Sequence, residues 1–120
     1  LLVGTVLARG NSGGYSSAEC TKVSGRVIRA KSALDAVGMM KRHNGEILVC
    51  PSITQDYIPL LRVVDGVIAE NGTELSDSLL AQINPNLVWL TNVAGATKKL
   101  ESELAVTIDG NQLLVYEGIV

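Results

Sequence analysis

Short apolar runs of strand length alternate along this chain with stretches in which apolar residues recur at helical spacing. The first helical stretch begins after Ser32, a residue type that favours the N-cap position. Its apolar residues at i, i+3, i+4 and i+7 are Ala33, Ala36, Val37 and Met40. Residues 46–50 follow as an apolar run that predicts a buried strand. A chain in which strand-length apolar runs alternate with apolar residues at helical spacing is expected to pack helices against a sheet.

The alternation continues through the middle of the chain. We predict further strands at residues 23–30, 66–70 and 87–90. Pro59 fits the first turn of a short helix, and Ser76 is a suitable N-cap for a longer helix that ends before Pro85. Residues 94–100 have the length and pattern of one or two helical turns.

The end of the chain predicts a β-hairpin. Leu104, Val106 and Ile108 alternate with Ala105 and Thr107, the turn sequence Asp-Gly-Asn follows, and a second apolar run begins at residue 113. Together with the earlier elements, this hairpin predicts the α/β class, with a mixed sheet flanked by helices.

Length and composition limit the function classes. A chain of 120 residues forms one domain around one core. A net charge of -2 and only four Trp and Tyr residues provide neither a basic surface nor stacking platforms, so nucleic acid is an unexpected partner. The apolar runs are far shorter than the about 20 residues of a membrane-spanning helix, and no signal peptide is recognisable. We therefore expect a cytoplasmic protein with no membrane partner.

The reactive side chains are few and dispersed. Cys20 and Cys50 lack the CxxC spacing of a metal site, and we interpret both as reduced structural thiols. His43, the only histidine, follows Lys41 and Arg42 in a predicted helix end, where a solvated cation is expected. No metal site and no catalytic residue is predicted. The remaining cations fall on different predicted elements and are interpreted as solvated charges; they include Arg26, Arg29, Arg62, Lys98 and Lys99.

The N-terminal segment has a different character from the rest of the chain. Residues 1–7 are apolar enough for a strand, and the glycine-rich segment 9–14 favours turns. We interpret residues 1–16 as an interdomain connector and residues 17–120 as the folded domain. Because the chain starts within a pattern, we expect it to be part of a longer polypeptide.

Six segments stand in an order and spacing that are specific as a set. They are VGTVLARGNSGG, SGRVIRAKSALDA, GEILVCPSITQDYIPLL, DGVIAENGTELSD, NVAGAT and VTIDGNQLLVYEG. This set resembles the mobile, phosphohistidine-type domain of phosphoenolpyruvate-utilising enzymes, and most closely the extra C-terminal domain of some bacterial pyruvate kinases. The resemblance covers nearly the whole chain and implies a swivelling β/β/α fold tethered to catalytic domains.

The resemblance also identifies where this sequence departs from the family. In phosphotransfer members, a histidine at the start of the helix after a Gly-Gly-x-x-Ser type loop accepts phosphate. In this sequence the corresponding residue is Asp77. Thr73 stands where the second glycine would be, and residues 86–88 replace the Gly-Ile-Pro that opens the next strand. A carboxylate lacks the nucleophilic nitrogen of imidazole. We therefore interpret Asp77 as a first-turn carboxylate whose negative charge interacts favourably with the positive end of the helix dipole.

The favoured function is therefore a non-catalytic structural or regulatory domain of a pyruvate kinase. By resemblance, the parent enzyme transfers phosphate from phosphoenolpyruvate to ADP in glycolysis, with magnesium and potassium bound by its catalytic domains. No cofactor is expected in this domain. The expected partners are other domains or subunits of the parent, and a homo-oligomer is possible.

Two alternatives stay open from the sequence. A phosphorylated small molecule could bind an anion-binding loop at the start of the same helix. The residues of this loop are Asn71, Gly72, Thr73, Ser76 and Ser78. In the second alternative, the domain is a phosphocarrier whose acceptor is Asp77 or His43.

Overall fold

The computed structural model describes residues 4–39 and 46–118, and it confirms the α/β class. The strands are β1 (Val6–Arg9), β2 (Ser12–Tyr15), β3 (Lys22–Arg29), β4 (Glu46–Cys50), β5 (Gly66–Ala69), β6 (Val88–Thr91), β7 (Ala105–Asp109) and β8 (Leu114–Glu117). The helices are α1 (Ala33–Met39), α2 (Ile58–Leu61), α3 (Asp77–Ile83) and α4 (Ala96–Lys99), and a 3-10 turn at Gln55–Tyr57 precedes α2. No helix in the described ranges is both long and apolar enough to span a membrane.

All eight strands belong to one mixed sheet in the order β1-β8-β7-β3-β4-β5-β6-β2. Strands β3 to β6 are parallel to one another, and the helices between them provide the crossovers. The other pairings are antiparallel, including β7 with β8. The predicted C-terminal β-hairpin is therefore confirmed.

The predicted connector is instead an integral part of this sheet. Strands β1 and β2 are separated by only Gly10 and Asn11, yet they occupy opposite ends of the strand order. The sheet therefore curls until its two edges meet at this segment. The Gly10 N–H donates to the Leu113 carbonyl over 2.9 Å, and the Asn11 N–H donates to the Thr91 carbonyl over 3.2 Å. The interpretation of this segment as lying outside the folded domain was wrong for residues 6–15, because their backbone groups pair with β8 and β6.

The curled sheet separates two clusters of buried residues. Alternate residues of β4 show the division, since Leu48 and Cys50 pack in one cluster and Ile47 and Val49 in the other. The first cluster includes buried residues of α1, α2 and α3. The second is enclosed by the curled sheet and includes Ala96 of α4. Helix α4 thus lies on the opposite face of the sheet from the other three helices.

The structure confirms the predicted start of α1 but not the predicted burial of its apolar face. The Asp35 N–H donates to the Ser32 hydroxyl over 3.2 Å, as expected of an N-cap. Ala36 is buried, whereas Val37 is 59% exposed and Leu34 is 82% exposed. The predicted positions of Met40 and of the cationic end with His43 lie outside the described residues.

The other predicted helix boundaries agree with the structure to within a few residues. Pro59 lies in the first turn of α2, and the Ser76 hydroxyl accepts a 3.2 Å hydrogen bond from the Leu79 N–H. Helix α3 ends at Asn84, whose buried side-chain amide donates to the Leu61 and Val64 carbonyls over 2.8 and 2.9 Å. These bonds fasten the end of α3 to the end of α2.

A buried ion pair joins β3 to β4. The Glu46 side chain is 1% exposed, and its Oε2 lies 2.9 Å from Nη2 of Arg26. The other guanidinium nitrogen, Nη1, lies 3.0 Å from Oε2 of the exposed Glu103. The hydrogen bond to Glu46, followed by the charges of both carboxylates, raises the pKa of Arg26. Arg26 is thus the cation that compensates a buried carboxylate.

Candidate functional site

Asp77 lies at the first position of α3, directly after the Ser76 cap. Its side chain is exposed and faces an open cleft of about 660 Å³. The lining residues come from β2, α3, β6 and the turn of the hairpin. They are Ser12, Gly13, Gly14, Tyr15, Asp77, Ser78, Ala81, Trp89, Gly110, Asn111 and Leu113.

Two glycines allow β2 to form one wall of this Asp77 cleft. A Cβ added at Gly14 would lie 2.7 Å from Cζ2 of the Trp89 ring, so the ring packs directly on the backbone. A Cβ at Gly13 would lie 2.5 Å from the Trp89 carbonyl oxygen. The sequence predicts turns in this glycine-rich segment. The close approach that excludes a Cβ at both glycines depends instead on the pairing of β2 with β6.

The electrostatics of the Asp77 cleft do not favour a phosphoryl group. Asp77 is the only charged side chain among the lining residues, and the lining contains no lysine, arginine or histidine. Phosphoryl groups in proteins are normally held by cations or by several free N–H donors. Within the described ranges, no three His, Cys, Asp or Glu side chains are grouped closely enough to hold a metal ion.

The residues of the predicted anion-binding loop line different clefts. Ser78 lines the Asp77 cleft, whereas Asn71 lines a second cleft with Asn11, Glu70, Asn92, Ala94, Gly95 and Lys98. The remaining loop residues Gly72, Thr73 and Ser76 line neither of these two clefts. Of the predicted site residues, Asp77 and Ser78 thus line the same cleft.

The loop also uses much of its hydrogen-bonding capacity internally. The Asn71 N–H donates to the Pro51 carbonyl over 2.8 Å, and the Glu74 N–H donates to the Ile53 carbonyl over 2.8 Å. The Leu75 N–H donates to the Thr73 hydroxyl over 2.9 Å. An anion nest requires successive N–H groups that are free to face the ligand. The N–H groups of Asn71, Glu74 and Leu75 are therefore not available to an anion.

Both cysteines are free thiols, in different environments. Cys50 is fully buried at the end of β4, and desolvation raises the pKa of its thiol to about 12. Cys20 is partly exposed. Because the thiolate is the reactive form of cysteine, Cys50 is not a nucleophile at neutral pH.

This difference predicts the thiol chemistry of the native protein. At pH 8 we expect a thiol-reactive disulfide reagent to modify only Cys20 rapidly and to modify Cys50 after denaturation. The pKa of this thiol is 9.0 in the unfolded chain and about 12 in the folded protein. The free energy of unfolding is therefore independent of Cys50 ionisation below pH 9.0 and decreases as the pH rises from 9.0 towards 12. The matched variant Cys20→Ser should show no rapidly reacting thiol, and a fast reaction in it would contradict the burial of Cys50.

The fold and the position of Asp77 define a class of α/β domain in which a helix begins beside an open cleft at the edge of a mixed sheet. Residues 42–113 match the family model described as PEP-utilising enzyme, mobile domain. The chain therefore belongs to this family, and the predicted resemblance is confirmed.

The relatives are much longer proteins. The chain is 29% identical to a pyruvate kinase from Lactobacillus delbrueckii subsp. bulgaricus over 117 residues, which cover 98% of this chain and 19% of that protein. It is 31% identical to pyruvate kinase 2 of Synechocystis over 117 residues, or 98% of this chain and 18% of that protein. It is 30% identical to a phosphoenolpyruvate synthase from Pyrococcus furiosus over 97 residues, or 81% of this chain and 12% of that protein. The chain thus spans less than a fifth of these relatives.

Solved structures support the fold alone. The microcin C7 self immunity protein MccF superposes with a TM-score of 0.59 at 14% identity, over 92% of this chain and 42% of that chain. The holo-form of aconitase X from Thermococcus kodakaraensis superposes with a TM-score of 0.54 at 17% identity, over 93% of this chain and 96% of that chain.

Proposed function

We propose that this chain is a non-catalytic structural or regulatory domain of a pyruvate kinase-type enzyme and does not carry phosphate. The observation that supports the proposal is the chemistry of the Asp77 cleft. At the helix start where family members place their histidine, this chain has an exposed carboxylate and no cation in the surrounding lining.

The chemistry of phosphoryl transfer explains why this observation matters. Phosphoenolpyruvate is anionic, and its approach to an uncompensated carboxylate is opposed by like-charge repulsion. A carboxylate that carries an acyl phosphate in other enzymes is surrounded by acidic ligands that hold magnesium. Within the Asp77 cleft, the second such carboxylate is lacking.

The proposed parent is a cytoplasmic glycolytic enzyme that transfers phosphate from phosphoenolpyruvate to ADP. Magnesium and potassium would bind its catalytic domains, and no cofactor would bind here. The proposed partners of this domain are the other domains or subunits of the parent, or a second copy. Two exposed apolar side chains of α1, Leu34 and Val37, are three residues apart and lie on one helix face, which suits such a contact.

The alternative of a phosphorylated ligand at the 71–78 loop has less support. The N–H groups of Asn71, Glu74 and Leu75 are bonded within the protein, and the loop residues are divided between different surfaces. We therefore propose no ligand for this loop.

Labelling with radioactive phosphoenolpyruvate tests the proposal. The purified chain is incubated with the donor and magnesium, and also with the phosphoryl-donor domains of a histidine-containing family member, which serves as the positive control. We expect no covalent label on the unchanged chain, on Asp77→Asn or on His43→Ala. Label on the unchanged chain that disappears in either variant would overturn the proposal and identify the acceptor.

The variant Asp77→His separates the missing nucleophile from the altered loop. It returns the family's acceptor type to the start of α3 while Thr73 and the rest of the loop stay unchanged. Because no cation lines the cleft, we expect label on this variant to remain far below that of the positive control. Labelling that equals the positive control would show that the histidine alone had been lost.

A further inference from the structure

Three cations from separate parts of the chain line one groove, which shares no lining residue with the Asp77 cleft. The groove has a volume of about 790 Å³. Its lining residues are Arg29, Ala30, Lys31, Asp35, Pro51, Thr97 and Lys98. The sequence had suggested that Arg29 and Lys98 were dispersed charges, so this basic groove is a product of the fold.

The basic groove lies at the carboxyl ends of parallel strands. Strand β3 ends at Arg29, and Pro51 directly follows the end of β4. The chain leaves β3 towards α1 on one face of the sheet, whereas α4 packs on the opposite face. In α/β sheets, ligands commonly bind in crevices outside the carboxyl ends of the strands.

Arg29 is held in position by two contacts with the segment that follows β6. Its Nη1 donates to the Thr97 carbonyl over 3.2 Å, and its backbone N–H donates to the Ser102 hydroxyl over 3.0 Å. A guanidinium held in this way loses less conformational freedom when it binds an anion. Arg29 is therefore a preorganised part of the groove wall.

The groove concentrates positive charge in a chain whose net charge is -2. Arg29, Lys31 and Lys98 face a single lining carboxylate, that of Asp35. Among the described residues, none of these three cations forms an ion pair within 4.0 Å. Lys98 also lies near the Glu70 carboxylate, so three cations stand against the two carboxylates of Asp35 and Glu70. The groove thus retains an uncompensated positive charge.

We propose that the basic groove binds a small organic molecule that carries a phosphate group. Its volume falls within the range of about 300–1,000 Å³ that is usual for ligand pockets. Arg29, Lys31 and Lys98 supply charge-assisted donors for phosphate oxygens. Pro51, which is partly exposed, offers apolar surface to a carbon skeleton. This binding is reversible and does not depend on whether Asp77 or His43 accepts phosphate.

Phenyl phosphate is a suitable probe, because it joins a phosphate dianion to a small apolar ring. Amide chemical shifts of the whole chain are followed by NMR during the titration, with phenol as the uncharged comparison. We expect saturable shifts that are concentrated at residues 29–31 and 97–98, and at residue 52 because Pro51 has no amide N–H. Phenol should cause no comparable shifts. Shifts centred on residues 71–78, or no saturable shifts, would overturn the proposal.

A pair of double variants controls for net charge. Lys31→Gln with Lys98→Gln removes two exposed cations of the groove, and we expect the affinity to fall about tenfold or more. Lys22→Gln with Arg62→Gln removes two exposed cations that do not line the groove, and the affinity should change less than about twofold. Equal losses in the two double variants would show general attraction of anions and overturn the proposal. Unlike the labelling test, this titration detects no covalent phosphate, so the two experiments fail independently.

Discussion

Replacing Arg26 with methionine is expected to lower the free energy of unfolding far more than replacing its exposed partner Glu103, because the Glu46 carboxylate would remain buried without a compensating cation. Glu46 is 1% exposed, and its contact with Arg26 Nη2 is 2.9 Å long. The other carboxylate oxygen of Glu46 has no hydrogen-bond partner among the described residues. Denaturant unfolding followed by circular dichroism measures the change in the free energy of unfolding.

Two further variants identify the cause of that loss. Glu103→Gln removes the exposed partner of Arg26 and should cost at most about 1 kcal/mol, as expected of a surface ion pair. The double variant Arg26→Met with Glu46→Leu replaces both buried charges by apolar groups and should recover most of the stability. If the double variant were as unstable as Arg26→Met alone, the loss would come from packing and not from an unpaired charge.

Replacing Gly13 with alanine is expected to lower the free energy of unfolding by about 1–3 kcal/mol and to weaken the pairing of β2 with β6. The new Cβ would lie 2.5 Å from the Trp89 carbonyl oxygen and 2.9 Å from Cδ2 of Leu90. Since the first of these atoms belongs to the backbone, β2 must move away from β6 to accommodate the methyl group. Unfolding by denaturant measures the cost, and hydrogen exchange at the amides of residues 88–91 reports the local opening.

A glycine in open space provides the matched control. A Cβ at Gly38 in α1 would meet no atom of the described residues within 4 Å, so Gly38→Ala should stabilise the protein by about 0.5–1 kcal/mol through the higher helix propensity of alanine. If Gly13→Ala left both the stability and the exchange of β6 unchanged, β2 would not be held as closely against β6 as described.

Local signals in the sequence were sufficient for most elements. The Ser32 and Ser76 caps, Pro59 in the first turn of α2 and the C-terminal hairpin all depend on neighbouring residues, and the structure confirms each of them. Helix α1 is an example in which a local signal was not sufficient. Its apolar spacing predicted a buried face, but Val37 remains exposed, because periodicity cannot show which neighbouring element covers a helix.

The candidate sites show the same division. The Ser76 cap sufficed to assign Asp77 to the start of a helix, and the family membership that the six segments together predicted is confirmed. The other walls of its cleft could not be predicted, because Gly13, Trp89 and Asn111 are distant in the sequence. The basic groove was overlooked for the same reason, since Arg29 and Lys98 seemed dispersed until the strand order placed them together.

The sequence by itself determined the α/β class, the helix caps, the closing hairpin and the family, since these depend on short-range periodicity, capping chemistry and ordered motifs. Only the tertiary structure decided that residues 6–15 close the sheet, because the edges they join are formed by strands β6 and β8 far along the chain. It also decided which cations converge. Burial, close backbone approach and local charge arise when distant segments meet, and no local pattern specifies which segments do so.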